Sequence, residues 1–107
     1  MSGRLTTHVL DTAAGRPAAG IPATLHRDGA LVAEAVTNAD GHTDAPLLED
    51  VAFTAGVYEL TFSVGAHFGG AGFLDRVPVR FTVSDAGEHH HVPLLVSPFA
   101  YSTYRGS

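Results

Sequence analysis

Glycine, proline, aspartate and asparagine interrupt this chain about every ten residues, and no stretch between them sustains a helical period. Short segments bounded by turn residues are too brief for helices and match the strands of a β-sandwich or barrel. Eight strands are predicted: Leu5–Asp11, Pro22–Arg27, Leu31–Thr37, a short piece over His42–Ala45, Gly56–Val64, Val77–Val83, Glu88–Val96 and Phe99–Arg105. Asp28-Gly29 and Asn38-Ala39-Asp40-Gly41 are turn signals. Alternation is clearest where Tyr58, Leu60, Phe62 and Val64 share one face. Ala66–Gly72 has room for one short helical turn, which its three glycines would weaken. The expected fold is all-β, a single domain over residues 1–107.

Composition narrows the function. A 45% hydrophobic, 16% charged chain of 107 residues can bury a core as one globular domain. Its net charge of −5 and six scattered basic residues argue against nucleic-acid binding. The absence of cysteine excludes disulfides, a thiolate nucleophile and thiolate-bound zinc. No window has the length and apolarity of a membrane span or signal peptide, so a cytoplasmic protein is expected.

Two features carry chemistry. The last seven residues, Tyr101-Ser102-Thr103-Tyr104-Arg105-Gly106-Ser107, hold hydroxyls, an arginine and two phenols directly after an apolar strand. Seven histidines occur, three of them consecutive at His89, His90 and His91, and imidazole is the side chain best suited to proton transfer near neutrality. Strand alternation sorts them by face. Thr6, His8 and Leu10 share a face opposite Leu5, Thr7 and Val9. His89, His91, Pro93 and Leu95 share one opposite His90, Val92, Leu94 and Val96. With the aliphatic rows inward, His8, His91 and either Ser102 or Tyr104 point outward. They stand among apolar residues, as on a surface covered by another subunit.

These residues also resemble a known family, the 5-hydroxyisourate hydrolases, transthyretin-like enzymes of purine catabolism. Leu5-Thr6-Thr7-His8-Val9-Leu10-Asp11 with Gly15 and Pro17-Ala18 is similar to the family's N-terminal signature. His91-Val92-Pro93-Leu94-Leu95-Val96-Ser97-Pro98 and the closing Tyr-Arg-Gly-Ser are similar to its C-terminal one. Transthyretin itself, the hormone carrier of the same fold, lacks that ending. The resemblance implies a transthyretin-like sandwich of two four-stranded sheets. It also implies a homotetramer, a dimer of dimers, with sites in the channel between dimers. The activity implied is hydrolysis of 5-hydroxyisourate to 2-oxo-4-hydroxy-4-carboxy-5-ureidoimidazoline in urate degradation, with no cofactor and no metal. Carried over by position, the catalytic residues are His8, His91 and Ser107, and the substrate-binding ones are His42, Tyr104 and Arg105; Ser102, which alternation allows on the outward face, is added to the substrate-binding set.

The chain departs from the family at two positions. His42 stands where the family has arginine, and His90 where tyrosine is usual. Arginine is a permanent forked cation, whereas neutral histidine offers one donor. Losing such an oxyanion contact costs about 2.7–4 kcal/mol in a transition state, and Arg105 is the expected compensation. Either His8 or His91 is expected to serve as general base. The alternatives are a catalytically weakened, transthyretin-like small-ligand binding protein, and a metal site built from His89, His91, His8 and His42.

Overall fold

The computed structural model describes residues 3–106, so Ser107 lies outside the described residues. Nine strands are formed: β1 (Arg4–Asp11), β2 (Arg16–Pro17), β3 (Pro22–Arg27), β4 (Ala30–Val36), β5 (Leu48–Glu49), β6 (Gly56–Ser63), β7 (Arg76–Val83), β8 (His89–Val96) and β9 (Tyr101–Thr103). One sheet runs β2-β1-β8-β9, with β5 also paired to β1, and the other runs β4-β3-β6-β7. The fold is the expected all-β sandwich. Its first sheet gains a fifth member because β2 and β5 are two-residue pairings onto β1.

The core is built from the inward rows. Leu5 and Val9 of β1 and Leu94 and Val96 of β8 meet Leu25 of β3, Tyr58, Leu60 and Phe62 of β6, and Val77 and Val83 of β7, all nearly inaccessible. Tyr58 is wholly buried, and its hydroxyl donates to the Thr54 carbonyl at 2.6 Å. That bond removes the penalty of burying a phenol. Thr7, also inward, donates its hydroxyl to the Val92 carbonyl at 2.7 Å. His90 is buried on the same side of the first sheet, its ring edge-on to Phe53.

Two local expectations differ from the structure. Residues 42–45 do not form a strand, and the only pairing there is a single bridge between His8 and His42. Asn38 is the cause. Its Oδ1 accepts from the amides of Asp40 and His42, and its Nδ2 donates to Asp44 Oδ1, curling the segment. Over 66–72 the backbone makes hydrogen-bonded turns, such as the Gly69 amide to the Ala66 carbonyl at 3.0 Å, but no helix. Gly69 and Gly70 have φ of 70° and 73°, left-handed values that cannot continue a right-handed helix. The short helical piece is a 3-10 turn at Asp50–Ala52.

One pairing in the first sheet is parallel. β1 lies beside β8 with Arg4 opposite His89, Thr6 opposite His91 and His8 opposite Pro93. The two ends of the chain thereby share one outward surface, and its histidines become neighbours.

Candidate active site

The outward side chains of β1 and β8 and the loop beyond Gly41 enclose an open cleft of about 400 Å³. Arg4, Thr6, His42, Asp44, His89 and His91 line it, with Thr7 and residues 43 and 45–46 completing the wall. His42 reaches it through Gly41, whose φ is 77°. A Cβ there would lie 2.5 Å from the Val9 carbonyl oxygen, so only glycine lets this loop close on β1. The Val9 amide donates to the Gly41 carbonyl at 2.9 Å and sets His42 against His8, with ring centroids 4.5 Å apart.

Hydrogen bonds distinguish the two candidate bases. His8 Nε2 lies 3.0 Å from the Asp40 carbonyl oxygen. A carbonyl can only accept, so Nε2 carries the proton and the distal nitrogen of His8 is spent on the loop. His91 is held in the opposite sense. Its proximal Nδ1 lies 2.8 Å from Thr6 Oγ1, leaving the distal Nε2 free. Thr6 Oγ1 is also 2.7 Å from His89 Nε2. Burial, then the charges of His89, His8 and His42, push the His91 pKa below the ordinary imidazole value. Burial and then His42 do the same to His8. Both rings are therefore biased toward the neutral form that a proton acceptor needs.

The C-terminal segment divides. The Gly106 amide donates to the His91 carbonyl at 2.7 Å, which lays the tail alongside the candidate base. Tyr104 and Arg105 turn the other way. They line a second cleft of about 220 Å³ at the mouth between the sheets, with Phe81, His90 and Val92. There Arg105 Nη2 donates to Glu88 Oε1 at 3.1 Å. Ser102 shares the outward face but pairs with Leu95, four residues along β8 from His91. Within one chain, then, His8, His42 and His91 come together, while Ser102, Tyr104 and Arg105 do not join them.

Arg4, Thr6 and Asp44 are among the cleft residues that sequence reasoning passed over. Parity already put Thr6 on the face of His8, but its contact with His91 depends on the parallel register. Arg4 supplies a guanidinium in the cleft, and its charge helps to lower the His89 pKa after burial has done so. Among the described residues, no group of three or more histidine, cysteine or acidic side chains is placed to hold a metal ion.

The chain is 53% identical to 5-hydroxyisourate hydrolase 2 of Rhizobium meliloti, over 99% of this chain and 98% of that one. It superposes on the crystal structure of (S)-allantoin synthase with a TM-score of 0.93 and 46% identity, covering 99% of this chain but 44% of that longer one. It also superposes on 5-hydroxyisourate hydrolase of Klebsiella pneumoniae with a TM-score of 0.85 and 38% identity, covering 98% of this chain and 94% of that one. Residues 5–106 match the model of the HIUase/Transthyretin family, and the chain belongs to that family.

Proposed function

We propose that this protein is a 5-hydroxyisourate hydrolase that opens a cyclic amide with water, using His91 as general base. The observation that carries this reading is the pair of opposed imidazole anchors. His91 presents a free distal nitrogen, while the distal nitrogen of His8 is bound to the Asp40 carbonyl.

In this mechanism, His91 Nε2 takes a proton from a water molecule as its oxygen attacks the ring carbonyl. The C–N bond breaks, and the imidazolium returns that proton to the departing ring nitrogen. The new carboxylic acid then ionises to solvent. His42 and Arg4 flank the cleft and are placed to bind the heterocycle's oxygens as charge develops. His8 orders the site: its ring packs on His42 and its Nε2–H anchors the loop that carries it.

Tyr104 and Arg105 lie on the inter-sheet side of β8 in their own chain. In this reading they serve the cleft only when contributed by a neighbouring subunit. Ser102 sits on the outward face beyond the cleft and is assigned to the walls between subunits. Ser107 is assigned to water or substrate orientation, because Gly106 is fastened to His91.

A homotetramer assembled as a dimer of dimers fits the exposed aromatic side chains. Phe73 and Phe99 are 78% and 70% accessible, and Pro98 accepts from the amides of Phe73 and Leu74. Light scattering should return four times the chain mass. No helix among the described residues is long and apolar enough to cross a membrane, and we assign the protein to the cytoplasm.

The test is direct. Purified protein should accelerate the decay of freshly generated 5-hydroxyisourate well above its spontaneous rate, without added metal. Decay at the spontaneous rate would overturn the assignment. Saturable binding of the heterocycle without turnover would favour a transthyretin-like carrier, the reading that His42 in place of arginine supports.

A further inference from the structure

Thr6 occupies a position that the hydrolytic scheme leaves without a purpose. Its hydroxyl oxygen lies between two imidazoles, 2.7 Å from His89 Nε2 and 2.8 Å from His91 Nδ1. The register explains the coincidence. Thr6 is directly opposite His91 on the parallel strand, and His89 is the diagonal neighbour on the same face.

A hydroxyl has one hydrogen, so it can donate to only one of these nitrogens, and the other must bring its own. The three groups therefore form a directional chain. We propose that Thr6 and His89 are positioning residues that fix the tautomer of His91, through the chain His91 Nδ1–H to Thr6 Oγ1–H to His89 Nε2.

This direction alone leaves the lone pair of His91 on Nε2, facing the cleft. It also lets His91 take up a proton without rearrangement. Nδ1–H already donates to Thr6, so the imidazolium formed keeps the same hydrogen bond. The reverse direction would put the proton on Nε2 and bury the lone pair against the hydroxyl. His89 must accept for the chain to run this way, which a doubly protonated ring cannot do. Burial, Arg4 beside it and His90 all hold His89 toward its neutral form. Arg4 thus contributes to proton placement two side chains away from it.

The catalytic consequence rests on the hydrolase reading, whereas the tautomer does not, so the two can fail separately. The experiment is a two-bond ¹⁵N–¹H correlation spectrum of protein labelled at histidine, recorded near pH 8. His91 is expected in the Nδ1–H form in the unaltered protein. That bias should be lost in Thr6→Val and in His89→Phe and recovered in Thr6→Ser, which keeps the hydroxyl. Turnover measured in parallel should fall about 10- to 100-fold in Thr6→Val and His89→Phe, as a general base loses its orientation. KM should change little, and Thr6→Ser should recover most of the loss. An Nε2–H form of His91 in the unaltered protein would overturn the proposal, and that measurement depends on no variant folding. An unchanged tautomer and unchanged kcat in both Thr6→Val and His89→Phe would also overturn it. If the unaltered protein shows no turnover but His91 is in the Nδ1–H form, the hydrolase reading fails and the tautomer assignment stands.

Discussion

Gly106 lies against His91 so closely that it has no room for a side chain. A Cβ at position 106 would meet His91 Cδ2 at 2.7 Å, while the Gly106 amide donates to the His91 carbonyl. The ring cannot yield freely, because its Nδ1 is engaged by Thr6. Gly106→Ala should therefore displace the imidazole. An error of about 1 Å in a reacting group can cost on the order of 100-fold, so kcat should fall by about that factor. The melting temperature should change little, since the residue lies beyond the last strand and outside the buried core. Parallel turnover and thermal melts check this, and a large loss of stability with normal kcat would contradict it.

His91→Asn should lower kcat about 10²- to 10⁴-fold, the usual contribution of a general base. His8→Asn should retain more activity, because the His8 proton is already committed to the Asp40 carbonyl. Single-turnover assays on the two variants rank them, and the reverse order would move the base to His8.

His42→Arg should raise kcat/KM by about 10- to 100-fold, through a permanent cation for the developing oxyanion. Charge at position 42 already lowers the pKa of both His8 and His91. Making it permanent should shift the acid limb of the rate profile to lower pH. The profile of kcat/KM against pH for both proteins tests the two effects together, and an unchanged rate would mean that Arg4 alone holds the oxyanion.

His8, His89 and His91 all bind protons more weakly in the folded chain than as free imidazoles, which titrate near 6.5. The unfolded chain therefore takes up protons first as the solution is acidified. Their contribution to stability is complete above 6.5 and is lost as pH falls through the folded values. Urea midpoints should be lower at pH 5.5 than at 7.5. The acid limb of kcat should lie below 6.5, since His91 stays unprotonated there, and a midpoint at or above 6.5 would be inconsistent with His91 as base.

Asp11 should govern stability at lower pH. Burial alone would raise its pKa, but His67 Nε2 at 2.8 Å and the amides of Ala13 and Ala14 outweigh that and lower it. Its contribution is present above 3.8, the free value, and is lost as pH falls through the folded one. Asp11→Ala strands those donors and should cost about 1–3 kcal/mol. Thermal melts at neutral pH should drop by roughly 5–15 °C.

What was legible in the sequence follows strand alternation closely. His8 and His91 were placed on outward faces because β1 and β8 are regular for eight residues each, and a period of two needs no partner to be read. Within one chain Tyr104 lies off that face, because β9 ends at Thr103. Beyond it the backbone turns, and alternation no longer says where a side chain goes. Thr6 and Arg4 could not be linked to histidines more than eighty residues away without the parallel register. The loop carrying His42 is held by Asn38 and Gly41, whose role depends on the approach of β1.

The parallel β1–β8 ladder has a kinetic corollary. Thr6 and His91 are 85 positions apart, so the proposed catalytic surface exists only after the first and last thirds of the chain have met. Contacts this remote in sequence carry a large loop-closure entropy and form slowly. Partly folded chains with a complete β4-β3-β6-β7 sheet would still have no proton acceptor in place. During refolding from denaturant, the appearance of turnover should therefore lag behind the burial of Tyr58, and enzymatic activity becomes a clock for the closure of the chain's two ends.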